Sequence, residues 1–298
     1  MPVSHLLLAI LVVIVWGLNF LFVTFSLEEF SPLFLCALRF ILASIPAVFF
    51  IKPPVDVPFR LVVLYGMIAF SLQFSFLFMG LYVGMSPGMA SIVMQTQVFF
   101  SLFFAMIFLG EQPKIWEIVG ALVSFSGIVL IAMNVENNNS FWGFIFILAA
   151  AASWGLGTLI TKKIKNKSDR NMFSLVVWGS FVAFIPMLAL SLIIEGPKSI
   201  MYTYYHVTWV GVYSLLYTVY LSTLIGYGVW NWLLSRYAVG VIVPFTLLVP
   251  IVGVLSSILV LGEPFERWKL VAGLLVVGGL CINLLRTYLG RQRVVSTA

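Results

Sequence analysis

The sequence predicts an all-α polytopic membrane protein of ten transmembrane helices, arranged as two inverted five-helix repeats. Its composition, a series of ten apolar runs and an internal repeat carry that prediction. Of 298 residues, 62% are hydrophobic and 9% charged, whereas a soluble chain carries roughly 25% charged residues. So much apolar surface requires lipid as the solvent. The net charge of +6 does not mark a nucleic-acid binder, because the basic residues sit in loops between apolar runs and not along one face.

The runs fall near 5–27, 31–51, 60–83, 87–109, 115–134, 141–163, 171–194, 207–235, 239–261 and 267–286. Each has the roughly 20 residues that a spanning helix needs. Glu28-Glu29, Lys52-Pro53-Pro54, Ser86-Pro87, Gly110-Glu111-Gln112-Pro113 and Glu136-Asn137-Asn138-Asn139 mark breaks in the first half. The stretch 162–170, Glu195-Gly196-Pro197, Arg236 and Gly262-Glu263-Pro264 do so in the second. With a cytoplasmic N-terminus, twelve Lys and Arg fall in inner segments and three (Lys198, Arg267 and Lys269) in outer loops. The positive-inside rule therefore places both termini in the cytoplasm.

Leu109-Gly110-Glu111 recurs 152 residues on as Leu261-Gly262-Glu263, with Trp116 recurring as Trp268 and Gly127 as Gly279. Trp16-Gly17-Leu18 recurs as Trp154-Gly155-Leu156 at a shorter offset. The expected units are residues 1–136, the first repeat, and 137–290, the second, with 291–298 as a cytoplasmic tail. Five spans per unit is an odd number, so the second enters the membrane from the opposite side. Inverted repeats of this kind give secondary transporters two access states around one central site.

Short motifs recur at matching depths: Val15-Trp16-Gly17-Leu18-Asn19-Phe20, Leu38-Arg39-Phe40, Gln95-Thr96-Gln97-Val98-Phe99-Phe100 and Phe108-Leu109-Gly110-Glu111. The second half carries Ser153-Trp154-Gly155, Gly226-Tyr227-Gly228-Val229-Trp230, Leu247-Leu248-Val249-Pro250 and Leu261-Gly262-Glu263. In these motifs and their order the chain resembles the EamA-type transporters of the drug/metabolite transporter superfamily over essentially its whole length. It is most similar to bacterial exporters of O-acetylserine and cysteine. The resemblance implies a central cavity in the bacterial inner membrane and export of amino acids or related metabolites. Exporters of other metabolites or drugs are the alternative.

Polar groups at membrane depth are costly and mark candidate sites. Asn19 lies one turn beyond Trp16; Gln73 and Gln95 lie mid-span in the third and fourth runs; Thr158 lies one turn beyond Trp154. Tyr217, Tyr220, Ser222 and Thr223 cluster in the eighth run, followed by Tyr227 and Trp230. The expected substrate site is an aromatic-lined pocket built from Trp16, Asn19, Gln73, Gln95, Trp154, Thr158, Tyr217, Tyr220 and Trp230. The competing reading is that the amides and hydroxyls join helices. Arg39 has two readings as well. It either snorkels toward Glu28, Glu29 or helix-end carbonyls, or acts as an outer gate or a contact for a substrate carboxylate. Pro250, mid-span in the ninth run, frees backbone carbonyls and marks either a flexing gate or a static kink.

Other classes of function find no residues to serve them. The chain has no H-E-x-x-H, G-x-S-x-G or G-x-x-x-x-G-K-[ST] motif. Its two histidines, His5 and His206, sit near span ends, and no carboxylate falls mid-span. No enzyme activity, cofactor, metal or nucleic-acid partner is expected. The expected partners are a small substrate and lipid, with the protein a monomer or weak homodimer. Cys36 and Cys281 read as buried apolar residues.

Overall fold

The computed structural model describes residues 2–55, 57–110, 112, 115–134, 138–163, 169–237, 242–264 and 266–296, and among them no strand occurs. Eight helices are long and apolar enough to cross a membrane: Val3–Leu27, Pro32–Phe50, Phe59–Tyr82, Pro87–Leu109, Ile115–Met133, Phe141–Thr161, Met172–Glu195 and Trp209–Trp230. Phe245–Leu261 and the long helix Arg267–Ser296 follow in ninth and tenth place. We number these spans 1 to 10. Trp116, Trp142 and Trp209 are exposed near span ends, where the amphipathic indole suits the membrane interface. Glu111, expected to mirror Glu263, lies outside the described residues.

Several spans depart from the α-helix, four of them in symmetry-related pairs; span 7 also ends in a π-helical turn, Ser191–Glu195. Span 3 carries a π-helical segment, Gly66–Leu72. Moved on by 152 residues it becomes 218–224, inside the π-helical Tyr217–Tyr227 of span 8. Span 4 tightens to a 3-10 turn at Met94–Thr96. The same shift gives 246–248, inside the 3-10 segment Val243–Leu248 that opens span 9. Spans 4 and 9 then end alike, on Gly110 and Gly262 with φ of 65° and 66°. That is the left-handed conformation, which only glycine adopts without a Cβ penalty.

Three pairs of equivalent spans pack directly on each other, and in spans 4 and 9 a Cβ on Gly253 would sit 2.5 Å from Ser91 Oγ. Spans 5 and 10 meet through a hydrogen bond from Ser124 Oγ to the Val276 carbonyl, 2.8 Å, and these two positions are themselves 152 apart. A small-residue face at Gly120, Ser124 and Gly279 lets their backbones touch. Spans 2 and 7 are joined at both ends. At one end the Glu195 carboxylate accepts from Ser31 Oγ (2.7 Å) and from the backbone N–H groups of Leu33 (2.8 Å) and Phe34 (3.1 Å). At the other end Trp178 Nε1 donates to the Ile51 carbonyl (2.8 Å) and Ser174 Oγ to that of Lys52 (2.5 Å).

The loop between spans 7 and 8 holds a helix that the apolar pattern does not reveal, Pro197–His206. Its exposed Met201, Tyr202, Tyr204 and Tyr205 are amphipathic side chains of the interfacial kind. It is tied back by Thr203 Oγ1, which donates to the Glu29 carbonyl (2.9 Å).

Candidate functional site

Span 1 brings Trp16 to the centre of the bundle, where three other aromatic rings meet it. Trp16 lies edge-on to Trp154 of span 6, with centroids 6.3 Å apart. It lies tilted against Tyr227 and Trp230 of span 8, at 5.2 Å each. Tyr227 in turn stacks on Trp154 at 6.0 Å. The four rings form a box with walls from both repeats. The π-helical stretch of span 8 shapes it, because Trp16 Nε1 donates to the Ser222 carbonyl, 3.1 Å. Gly226 makes room, since a Cβ there would sit 2.6 Å from Trp16 Nε1.

Beside the box is a set of buried polar side chains that are only partly paired. Gln73 of span 3 is buried, and its Nε2 has no partner. Gln95 Nε2 donates to the Thr246 carbonyl, 3.1 Å. That bond joins the 3-10 turns of spans 4 and 9, and Gln95 Oε1 is left without a partner. Asn19 Oδ1 and Gln97 Oε1 are also unpaired. Most buried polar atoms in proteins are hydrogen-bonded, so each exception needs a reason.

Arg39 of span 2 does not snorkel to the surface. It is 1% exposed and reaches sideways to span 8, where Nε donates to Thr223 Oγ1 (2.9 Å) and Nη2 to Ser222 Oγ (3.5 Å). The expected pairing with Glu28 or Glu29 fails for a plain reason. The Glu29 carboxylate is occupied by Thr208, whose N–H donates at 2.7 Å and whose Oγ1 donates at 2.5 Å.

Three expected pocket residues stand apart from the box. Tyr217 joins helices: its hydroxyl donates to the Val15 carbonyl (3.0 Å) and its ring stacks on Phe22 at 3.9 Å. Tyr220 is 40% exposed, on a stripe of span 8 with Tyr213, Leu216 and Ile225. Thr158 is exposed and bonds the Trp154 carbonyl of its own helix, 3.1 Å. Trp16, Trp154 and Trp230 come together, and Tyr227 joins them against Trp16 and Trp154. Tyr227 was the residue missing from the expected pocket. Its signal was Gly226-Tyr227-Gly228, a tyrosine at membrane depth between two glycines that admit close neighbours. Pro250 opens the α-helical part of span 9 just after the 3-10 segment. Among the described residues no group of His, Cys, Asp and Glu could hold a metal ion.

Residues 3–133 and 141–285 each match the description of the EamA-like transporter family. The chain belongs to that family. It is 37% identical over 280 residues to a protein of Escherichia coli (strain K12) described as a probable amino-acid metabolite efflux pump, covering 93% of both chains. A Salmonella typhimurium protein of the same description is equally similar. The uncharacterized transporter YvbV of Bacillus subtilis (strain 168) is 25% identical over 285 residues, covering 94% of this chain and 90% of that one. A solved crystal structure of a protein 18% identical superposes with a TM-score of 0.63 over 96% of this chain and 98% of the other, which speaks for the fold alone. An EamA family member with this many apolar spans is a multi-pass membrane transporter.

Proposed function

We propose that this EamA protein is a secondary transporter that exports small amino-acid-like metabolites across the bacterial inner membrane by alternating access, with both termini in the cytoplasm. One observation carries the reading: a four-ring aromatic box, built from both repeats, beside buried amides with free hydrogen-bonding capacity. Aromatic faces suit a substrate ammonium group. Unpaired amide groups suit the polar remainder, because they exchange no existing bond for the new one. The description of the Escherichia coli relative as a probable amino-acid metabolite efflux pump supports the same substrate class.

The fold also suggests which parts move. Spans 2 and 7 are pinned at both membrane faces and spans 5 and 10 along their small-residue seam. Spans 3, 4, 8 and 9 carry π and 3-10 segments in their interior, whereas the π turn of span 7 lies at its pinned end; interior breaks of this kind are common at functional hinges. In this reading the pinned pairs form the frame, and the broken spans, with Pro250, rock around the box. With no mid-span carboxylate to carry a proton, transport runs down the substrate gradient.

The test is counterflow of labelled amino acids and thiol metabolites in liposomes holding the purified protein. Saturable exchange that Trp16→Ala abolishes is the expected result. Absence of competition by cysteine, O-acetylserine or any other amino acid defeats the substrate class. Accumulation against a gradient that collapses with a protonophore defeats the uncoupled mechanism.

A further inference from the structure

Among the described residues Arg39 is a buried cation without a counter-ion. Its hydrogen bonds go to two hydroxyls, Thr223 Oγ1 and Ser222 Oγ, and its Nη1 has no partner. The guanidinium carbon sits 4.2 Å from the Phe74 ring centroid, with Phe40 and Phe78 near 6 Å. Hydroxyls and ring faces solvate the charge but do not neutralise it. The two carboxylates nearest in sequence or packing are both committed. Glu29 serves Thr208. Glu195 accepts from Ser31, Leu33, Phe34 and Ser191.

A lone charge at membrane depth is costly unless something pairs with it. Arg39 also lies on the flank of the aromatic box. The Phe74 ring that it covers meets Phe70, and Phe70 meets Tyr227. Tyr227 lies about one turn along span 8 from Thr223, the main partner of Arg39. Arg39 Nη1 is therefore an unpaired donor beside the box. Two unpaired acceptors, Asn19 Oδ1 and Gln95 Oε1, come from spans 1 and 4.

We propose that Arg39 forms a carboxylate subsite, so that the transported substrate must carry a free carboxylate. The inference rests on the transport reading above and adds the chemical group that the site demands. A carboxylate accepts from Nη1 in a charge-assisted bond that supplies the missing counter-charge. The ammonium of a zwitterion then faces the rings and the free amide oxygens. Lysine is not equivalent at this position, because it lacks the planar fork that holds Thr223 while leaving one N–H free.

The experiment is counterflow with the full-length protein in liposomes, using labelled acids against four competitors. These are an amino acid, its amide, its decarboxylated amine, and the hydroxy acid of the same skeleton. The expected wild-type result is that both acids compete, while amide and amine are at least tenfold weaker. In Arg39→Gln that preference falls below threefold, and Arg39→Lys keeps part of it. An amide that competes within threefold of the acid in wild type overturns the subsite and leaves the amino-acid reading standing. A folded Arg39→Gln that keeps the tenfold preference overturns it too. Exchange of hydroxy acids with no exchange of any amino acid keeps the subsite and defeats the amino-acid reading. No exchange of any acid defeats both. The wild-type competition needs no variant, so the proposal stays testable even where Arg39→Gln does not insert.

Discussion

The membrane end that holds Glu29, Glu195 and Glu263 and the middle of the bundle treat polar side chains in opposite ways. At that end these three carboxylates all accept hydrogen bonds. Glu195 accepts four, two of them from backbone N–H groups in the first turn of span 2, which no residue of that helix satisfies. Glu29 does the same for Thr208 at the start of span 8, and Glu263 accepts from Ser257 Oγ. Spans 2 and 8 present the positive end of the helix dipole there, and a carboxylate stabilises it. In the middle of the membrane, Asn19, Arg39, Gln73, Gln95 and Gln97 each keep a buried atom without a partner. The contrast separates groups that hold the fold from groups held ready for a ligand, even though burying either kind is unfavourable.

The largest expected effect tests the first half of that contrast. Glu195→Ala should destabilise the protein by about 3 kcal/mol, since bonds to a charged group contribute ~1.5–3 kcal/mol and several are lost together. A thermal melt in detergent reads it. The KM of the surviving protein should stay within about threefold of wild type, because Glu195 does not touch the box. A large KM change with little loss of stability would place Glu195 in the transport path and blur the contrast.

Gly226→Ala comes next and acts at the border of the two regimes. The new Cβ would lie 2.6 Å from Trp16 Nε1, against the indole that bonds the Ser222 carbonyl. Overpacking of this kind costs ~1–3 kcal/mol. The melt should fall by that amount and counterflow should fall with it, because the same indole is a wall of the box. Retained transport in a destabilised protein would show that Trp16 has a structural part only.

Asn19→Leu addresses the second half. Asn19 is buried and its Oδ1 is unpaired, so an apolar group of similar size removes a desolvation cost. Stability should change by less than about 1 kcal/mol or rise, while the KM for an amino acid increases roughly tenfold, the equivalent of ~1.4 kcal/mol of binding. A loss above about 2 kcal/mol in the melt would mean that Asn19 is helix glue like Tyr217.

How far the sequence reaches depends on whether the property is local. Span positions are legible because hydrocarbon thickness fixes the length of every apolar run. The observed spans 1 to 8 start and end within a few residues of those runs, apart from the polar ends of spans 6 and 8. The 152-residue repeat is legible in Leu-Gly-Glu because both copies close on a left-handed glycine. The π and 3-10 segments are not legible. Nothing in Gly66–Leu72 departs from a helical pattern, and the irregularity arises where spans cross. The partner of Arg39 is hidden for a related reason. Depth along a span follows from counting residues, but the rotation that turns Arg39 toward Thr223 follows from packing. The helix Pro197–His206 escapes because ten residues of mixed polarity give no spanning signal.

The two tyrosines of span 8 give the smallest effects, and they separate glue from surface within one turn. Tyr217 donates to the Val15 carbonyl, 3.0 Å, so Tyr217→Phe should lose about 1 kcal/mol, the usual net contribution of one hydrogen bond. Tyr220 is exposed on the outer stripe, and no hydrogen bond of its hydroxyl defines the box. Tyr220→Phe should therefore leave both the melt and the KM within twofold of wild type. The pair was expected in one pocket because both fall mid-span, yet residues three apart on a widened π-helical turn face different surroundings. A KM change of more than about fivefold in Tyr220→Phe alone would mean that the exposed stripe faces the substrate path and not lipid, and would move the boundary between the two regimes outward by a full turn.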